Sequence, residues 1–283
     1  MPVEFIGMIH HRHQSEIRPP PDVVVDRGYI RDFAQAAEEG GFDRVLVGYF
    51  SDSPDGFLVA AHAAAYTERL GFLVAHRPGF VAPTVAARKF ATLDQITGGR
   101  AAIHVISGGD DVDQARDGDY LPKDERYART DEYVGILKRV WTENGPLDHE
   151  GRYYRFKGAS TAVRSVQKPR IPIYVGGASE AAIGVAGKHA DVYALWGETH
   201  AQVRELTARV REAAAQHGRE VRFSMSLRPI LADSEEEAWA RAERIKDTIV
   251  RLRGQAPLGP ARVDPPNEGS RRLLQRFHPD CAG

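Results

Sequence analysis

Short apolar runs bounded by glycine, proline or polar residues alternate along the chain with longer segments whose apolar positions recur every three or four residues. Runs at 3–9, 44–48, 72–75 and 101–106 have the length of buried strands. Between them, 27–39, 57–67 and 83–96 read as helices. The first places Ile30, Phe33, Ala34 and Ala37 on one face before the Gly40-Gly41 stop, and the third opens on a proline in its first turn. Strand followed by helix at a spacing of about 30 residues predicts a parallel sheet with right-handed crossovers, and a closed barrel fits the pattern better than an open sheet.

The rhythm breaks after the fourth run. Ser107-Gly108-Gly109 ends it, an acidic loop without a helical stripe follows, and a helix begins near Glu125 and runs to about 142. A strand-to-helix loop of that length in a compact domain forms part of a site wall in the usual case. Residues 146–165 alternate aromatic and polar positions, predicting an excursion of short antiparallel strands. The βα pattern then resumes with strands at 171–175, 191–195 and 222–231 and helices at 180–188, 201–217 and 234–250. Seven βα units result, one short of a closed eight-stranded barrel. Residues 1–250 therefore read as one domain, and 251–283, rich in Pro, Arg and Gly, as an irregular tail with a disorder-prone composition.

Composition narrows the function class. Lys+Arg 38 against Asp+Glu 39 gives a net charge of -1 with no basic cluster, which argues against nucleic acid and membrane surfaces as partners. Cys281 is the single cysteine, so the sequence holds neither an internal disulfide nor a CxxC metal or redox motif. The apolar run at the N-terminus is too short for a signal peptide, and no run of about 18 apolar residues occurs. The expectation is a soluble, reduced, cytoplasmic protein.

In a parallel βα barrel the C-terminal ends of the strands converge on one mouth. The residues just past them are His10 and His11, Ser51 and Ser53, His76 and Arg77, His104 and Ser107, Gly176-Gly177-Ala178-Ser179, Trp196, and Ser226 with Arg228. A strand turning through Gly-Gly into a helix presents free backbone N–H groups and a serine hydroxyl to an anion such as a phosphate. It is equally a tight turn with a serine N-cap. Arg77 and Arg228 cannot shed their charge, so each must meet a structural carboxylate or an anionic ligand. His76 and His104 can be core histidines or site residues, and Trp196 a core aromatic or a pocket wall. Adjacent His10 and His11 point to opposite sides of a strand and complete no metal site; Asp110-Asp111-x-Asp113 lacks the glycine and terminal glutamate of a calcium loop and reads as a solvated acidic loop. No GxSxG elbow of a serine hydrolase occurs.

Five segments in order, FLVAHRPGFVAPTVAARKFATLDQITGGRAAIHVISGG, DGDYLPKDERYARTDEYVGILKRVW, IPIYVGGASEAA, HADVYALWGE and SLRPI, resemble the bacterial-luciferase-like flavin-dependent monooxygenases, nearest the alkanesulfonate monooxygenase branch. The resemblance covers roughly residues 3–249. It implies a (β/α)8 TIM-type barrel with an insertion, here without strand and helix eight. It also implies FMN, used as FMNH2 from a separate NAD(P)H-dependent flavin reductase, with O2 activated as a flavin C4a-peroxide. The reaction implied is oxidation of a small organic substrate, in the sulfonate branch C–S cleavage to aldehyde and sulfite, by a homo-oligomeric enzyme.

Carried over by motif, Gly176, Gly177, Ala178 and Ser179 would hold the FMN phosphate, with Ser53, His104, Ser107 and Tyr127 near the flavin. His76, Ser226 and Arg228 would take catalytic positions, and His11, Arg77 and Trp196 would face the substrate. Family members often carry a non-proline cis peptide at the end of strand three, here near Ala75-His76. Two departures stand out: Ser226-Leu227-Arg228 replaces an Arg-x-His motif, and Ser53 replaces a cysteine. The same architecture serves the deazaflavin F420, which gives a second enzymatic reading. A truncated, inactive flavin-binding remnant is a third.

Overall fold

A computed structural model describes residues 3–15, 17–108, 110–255 and 272. Strands β1 (Ile6–Ile9), β2 (Arg44–Val47), β3 (Gly71–His76) and β4 (Ala101–Val105) alternate with helices α1 (Arg27–Glu39), α2 (Gly56–Ala64) and α3 (Pro83–Ile96). After β4 come α4 (Asp111–Arg116) and α5 (Lys123–Thr142), then β5 (Leu147–Glu150) and β6 (Arg155–Ala159). The alternation resumes with β7 (Ile173–Gly176), α6 (Glu180–His189), β8 (Val192–Trp196), α7 (His200–Ala215), β9 (Arg222–Ser226) and α8 (Glu235–Gln255).

Seven strands form one parallel sheet in the order β1-β2-β3-β4-β7-β8-β9, with pairs such as Val47 beside Val74 and His104 beside Tyr174. The sheet curls in the manner of a TIM-type barrel that lacks the last strand among the described residues. Side chains alternate between its faces. Phe72 and Val74, Ile103 and Val105, Ile173 and Val175, and Tyr193 face the helices in the main core. Leu73, Ala102, Tyr174 and Val192 form a smaller cluster on the other face, inside the curl. The first and last strands do not pair, yet Arg222 Nη1 of β9 reaches Glu4 just before β1 at 2.8 Å. Apolar side chains along this seam, Val3, Phe5, Met225 and Leu227, stay exposed.

The 146–165 excursion forms the antiparallel β5–β6 hairpin. Glu132 of α5 anchors it, accepting from the backbone N–H groups of Tyr153 at 3.0 Å and Tyr154 at 2.9 Å. Helix α8 runs past residue 251 to Gln255, and the rest of the expected tail, apart from Arg272, lies outside the described residues.

Two expectations need correction. The stretch after β4 contains a helix, α4, capped by Asp110, whose side chain accepts from the N–H of Val112 at 3.0 Å. Six residues are too few to display an apolar stripe, so the pattern could not reveal it. The peptide before His76 is trans: among the described residues the cis bond falls at Lys168-Pro169, where the tertiary amide weakens the trans preference.

Candidate functional site

The C-terminal ends of the seven parallel strands open on one side of the curled sheet. At β7 the chain turns through Gly176 and Gly177 into α6. Gly177 has φ +121, a conformation that residues with side chains rarely adopt. A β-carbon there would lie 2.7 Å from the Tyr127 hydroxyl and 2.9 Å from the Ala182 methyl. The turn therefore presents bare backbone. Ser179 caps α6, its hydroxyl accepting from the Ala182 N–H at 3.3 Å and lying close enough to the Tyr127 hydroxyl to act on its titration. The first N–H groups of any helix lack partners within it, so those at the start of α6 point out of the turn. Tyr193 of β8 fixes the turn from behind by donating its hydroxyl to the Gly177 carbonyl. Burial holds both tyrosines protonated, raising Tyr127 and Tyr193 above their ordinary value, so each hydroxyl keeps a proton to donate.

His104 shares the inner face of β4 with Ala102 and stands beside this turn: a β-carbon on Gly176 would meet its Nε2 at 3.6 Å. Desolvation lowers its pKa to about 4, so the ring is neutral at pH 7. Ser107, three residues on, bonds Thr130 Oγ1 of α5 at 2.9 Å. The structure thus brings together Gly176, Gly177, Ala178, Ser179, Tyr127 and His104, with Ser107 alongside.

A second recess lies past β1 and β2, about 170 Å³ in volume, walled by residues that include His10, His11, Arg12, Asp52 and Ser53. Burial, then the charges of His11 and of Arg228, lowers the His10 pKa. The charge of Arg228, just past β9, thus reaches His10 across the seam between β1 and β9. Burial first, then Arg12, lowers His11 as well, against the opposing charge of Asp52. Trp196 and Ser226, at the ends of β8 and β9, are exposed and sit in register with one another.

His76 is placed elsewhere. It shares the helix-facing parity of Phe72 and Val74, lies against Phe57, Phe90 and Tyr133, and its Nε2 meets the Tyr133 hydroxyl at 2.6 Å. Burial drives its pKa down to about 3. It is a neutral core histidine.

Arg77 met a structural carboxylate. Its guanidinium pairs with Asp113 of α4, comes within 3.9 Å of Asp117, and lies 4.7 Å from the Tyr49 ring centroid. Asp113 also accepts from Ser51, while Asp117 accepts from the Tyr49 hydroxyl at 3.0 Å. Desolvation opposes ionisation of Asp113, but the bonds from Ser51 and Arg77 outweigh it and lower its pKa. The acidic loop is thus not simply solvated: Asp119 is buried against Arg129, and Asp111 pairs with the buried Arg126 at 2.8 Å. Tyr49, Asp113, Asp117 and Tyr193 escape sequence reasoning because their partners lie on other elements. Among the described residues no group of three His, Cys, Asp or Glu side chains is arranged to hold a metal, and no helix is long and apolar enough to cross a membrane.

A family profile described as luciferase-like monooxygenase matches residues 3–277. The chain belongs to the luciferase-like monooxygenase family. Among solved structures, riboflavin lyase RcaE, crystallised with modified FMN and its substrate riboflavin, aligns with a TM-score of 0.78 at 21% identity, over 87% of this chain and 66% of that one. Long-chain alkane monooxygenase LadA aligns with a TM-score of 0.73 at 22% identity, over 79% and 62% respectively. The coenzyme F420-dependent tetrahydromethanopterin reductase of Methanopyrus kandleri aligns with a TM-score of 0.71 at 21% identity, over 84% and 69%. At these identities the likeness establishes the luciferase-like fold alone, and the chain spans about two thirds of each neighbour's length.

Proposed function

We propose that this luciferase-like chain is an FMN-dependent monooxygenase that acts on a small organic acid and receives its reduced flavin from a separate NAD(P)H-dependent reductase. The observation that carries the reading is the Gly177 turn. Bare backbone, the start of α6 and the Ser179 and Tyr127 hydroxyls converge where a β-carbon would not fit, and such a donor set suits a phosphate. Gly176, Gly177, Ala178 and Ser179 would hold the phosphate group, with Tyr127 donating to it.

Bound reduced FMN would supply the electrons that activate O2. The chain's own residues bind, orient and exclude water. His104, neutral at pH 7, offers the flavin a hydrogen-bonding ring without adding charge. The Arg77–Asp113 pair holds α4 across the ends of β2 and β3, which narrows solvent access to the mouth. Arg12 lines the recess past β1 and the charge of Arg228 reaches His10 beside it; two guanidinium groups against the single carboxylate of Asp52, with the rings of His10 and His11 neutral, favour an acidic substrate head group, an alkanesulfonate or a related sulfur acid among them. Ser53 lines the same recess, and Trp196 and Ser226 stand in register at the ends of β8 and β9. With His76 in the core, Ser226 and Arg228 remain the candidates for contact with the reacting substrate.

The test is titration with FMN and FMNH2, followed by a sulfite-release assay over a panel of alkanesulfonates with a flavin reductase present. Saturable flavin binding with sulfite release supports the reading. Absence of flavin binding to the folded protein would sink it, and flavin binding without turnover on any acid would leave a binding protein. The likeness to an F420-dependent reductase favours a second reading, in which the same turn takes the deazaflavin phosphate. Tighter binding of F420 than of FMN would select it.

A further inference from the structure

We propose that Arg272 is a positioning residue for the cofactor phosphate, keeping the Gly176–Ser179 turn receptive to a dianion by neutralising the carboxylates beside α6. The inference rests on the assignment of that turn to a phosphate. Five side chains form a run of alternating charge along α6 and α7. Glu180, the first residue of α6, pairs with Arg209, which reaches Glu205 at 3.0 Å. Glu205 in turn meets Arg272 at 3.2 Å, and Arg272 meets Glu198 at 2.7 Å.

The last pair is the most buried, with Glu198 and Arg272 side chains 1% and 9% exposed. Arg272 donates to Glu198 through both Nε and Nη2, at 2.9 and 2.7 Å, and Nη2 also reaches the Gln202 carbonyl. Glu198 Oε1 is buried with no hydrogen-bond partner among the described residues, so among them this carboxylate depends on Arg272 for its neutralisation. Both charges act on Tyr193, whose hydroxyl holds the Gly177 carbonyl. Their field therefore reaches the turn itself.

Three carboxylates against two guanidinium groups leave the run with one excess negative charge at the mouth of an anion site. Without Arg272 the excess doubles, next to a position meant for a phosphate. A purely structural anchor would affect any flavin alike. A charge-balancing residue distinguishes FMN from riboflavin, which lacks the phosphate.

The experiment is equilibrium titration of the full chain with FMN and with riboflavin, read by flavin fluorescence, for wild type and for Arg272→Ala, Arg272→Lys, Glu198→Gln and the Arg272→Ala/Glu198→Gln pair. Arg272→Ala is expected to weaken FMN roughly five- to tenfold while shifting riboflavin by less than about twofold. Arg272→Lys keeps the charge and most of the affinity, and the double variant returns toward wild type. Equal loss for both flavins, or no recovery in the double variant, overturns the proposal. Should Arg272→Ala not fold, Glu198→Gln decides: FMN must tighten relative to riboflavin, and a fall refutes the idea. A wild type that prefers FMN while Arg272→Ala matches it overturns only this inference. A wild type without preference for FMN over riboflavin removes the phosphate assignment as well.

Discussion

The Tyr127 hydroxyl lies 2.7 Å from where a β-carbon on Gly177 would sit, so helix α5 and the turn after β7 meet with no room for a side chain. Gly177→Ala must both adopt φ near +121 and displace the tyrosine or Ala182. Backbone strain of that kind costs about 1–3 kcal/mol. The expected result is a lower urea midpoint together with loss of FMN binding. A variant of wild-type stability that binds FMN normally would show that the turn yields and that its bareness has no purpose.

Ser179→Asp separates the phosphate role from the capping role. Aspartate caps helices as well as serine, so α6 keeps its first turn. It also sets a carboxylate where the phosphate would lie. FMN affinity should fall by at least about a hundredfold, with the far-UV spectrum and thermal midpoint close to wild type. Unchanged affinity would refute the phosphate assignment.

The Asp113–Arg77 pair can be broken from its less buried side, the half-buried Asp113. Asp113→Asn leaves Arg77, itself 8% exposed, with the carboxylate of Asp117 at 3.9 Å as its remaining acidic neighbour. Loss of one charge-assisted contact at such a position costs about 1–3 kcal/mol. Helix α4 should then detach more readily, and limited proteolysis should cut faster within 107–122. Wild-type protease resistance would mean that the cap at Asp110 and the Arg126–Asp111 pair hold α4 by themselves.

How far these features could be read in advance depends on whether their cause is local. The seven parallel strands follow from apolar runs with glycine or proline stops, and the Ser179 cap from one residue at the start of a helix. The insertion showed itself through the alternation of aromatic and polar residues in Tyr154-Arg155-Phe156-Lys157. Parity, more than its place at a strand end, fixes His76: counting by twos from Phe72 and Val74 points it toward the helices. The Arg77–Asp113 pair joins residues 36 apart, and Arg272–Glu198 residues 74 apart. Such pairings depend on how loops meet above the barrel, which no local period encodes. Arg77 signalled only that some anion was needed.

Among the histidines whose pKa values burial lowers, His76 and His104 carry the largest shifts and dominate the acid limb of stability. His76 and His104 fall from an ordinary 6.5 to about 3 and about 4, both because burial disfavours the charged ring. The unfolded chain therefore binds protons that the folded chain refuses. Stability is full above pH 6.5 and declines as pH falls through it toward about 4, with a limiting slope of about 1.4 kcal/mol per pH unit for each ring. Urea midpoints at pH 7 and pH 5 measure the decline. His104→Asn removes one titrating ring while keeping a hydrogen-bonding side chain on the inner face of β4, so the difference between the two midpoints should shrink markedly. Tyr133→Phe acts on the other ring: it deletes the 2.6 Å partner of His76 without changing any titration, so it should lower stability by about 1 kcal/mol at both pH values and leave the slope intact. A slope unaltered in His104→Asn would mean that the other histidines whose pKa values burial lowers, His76, His10, His11 and His189, carry the decline between pH 7 and pH 5, since the paired carboxylates Asp131 and Asp113 act only at more acidic pH.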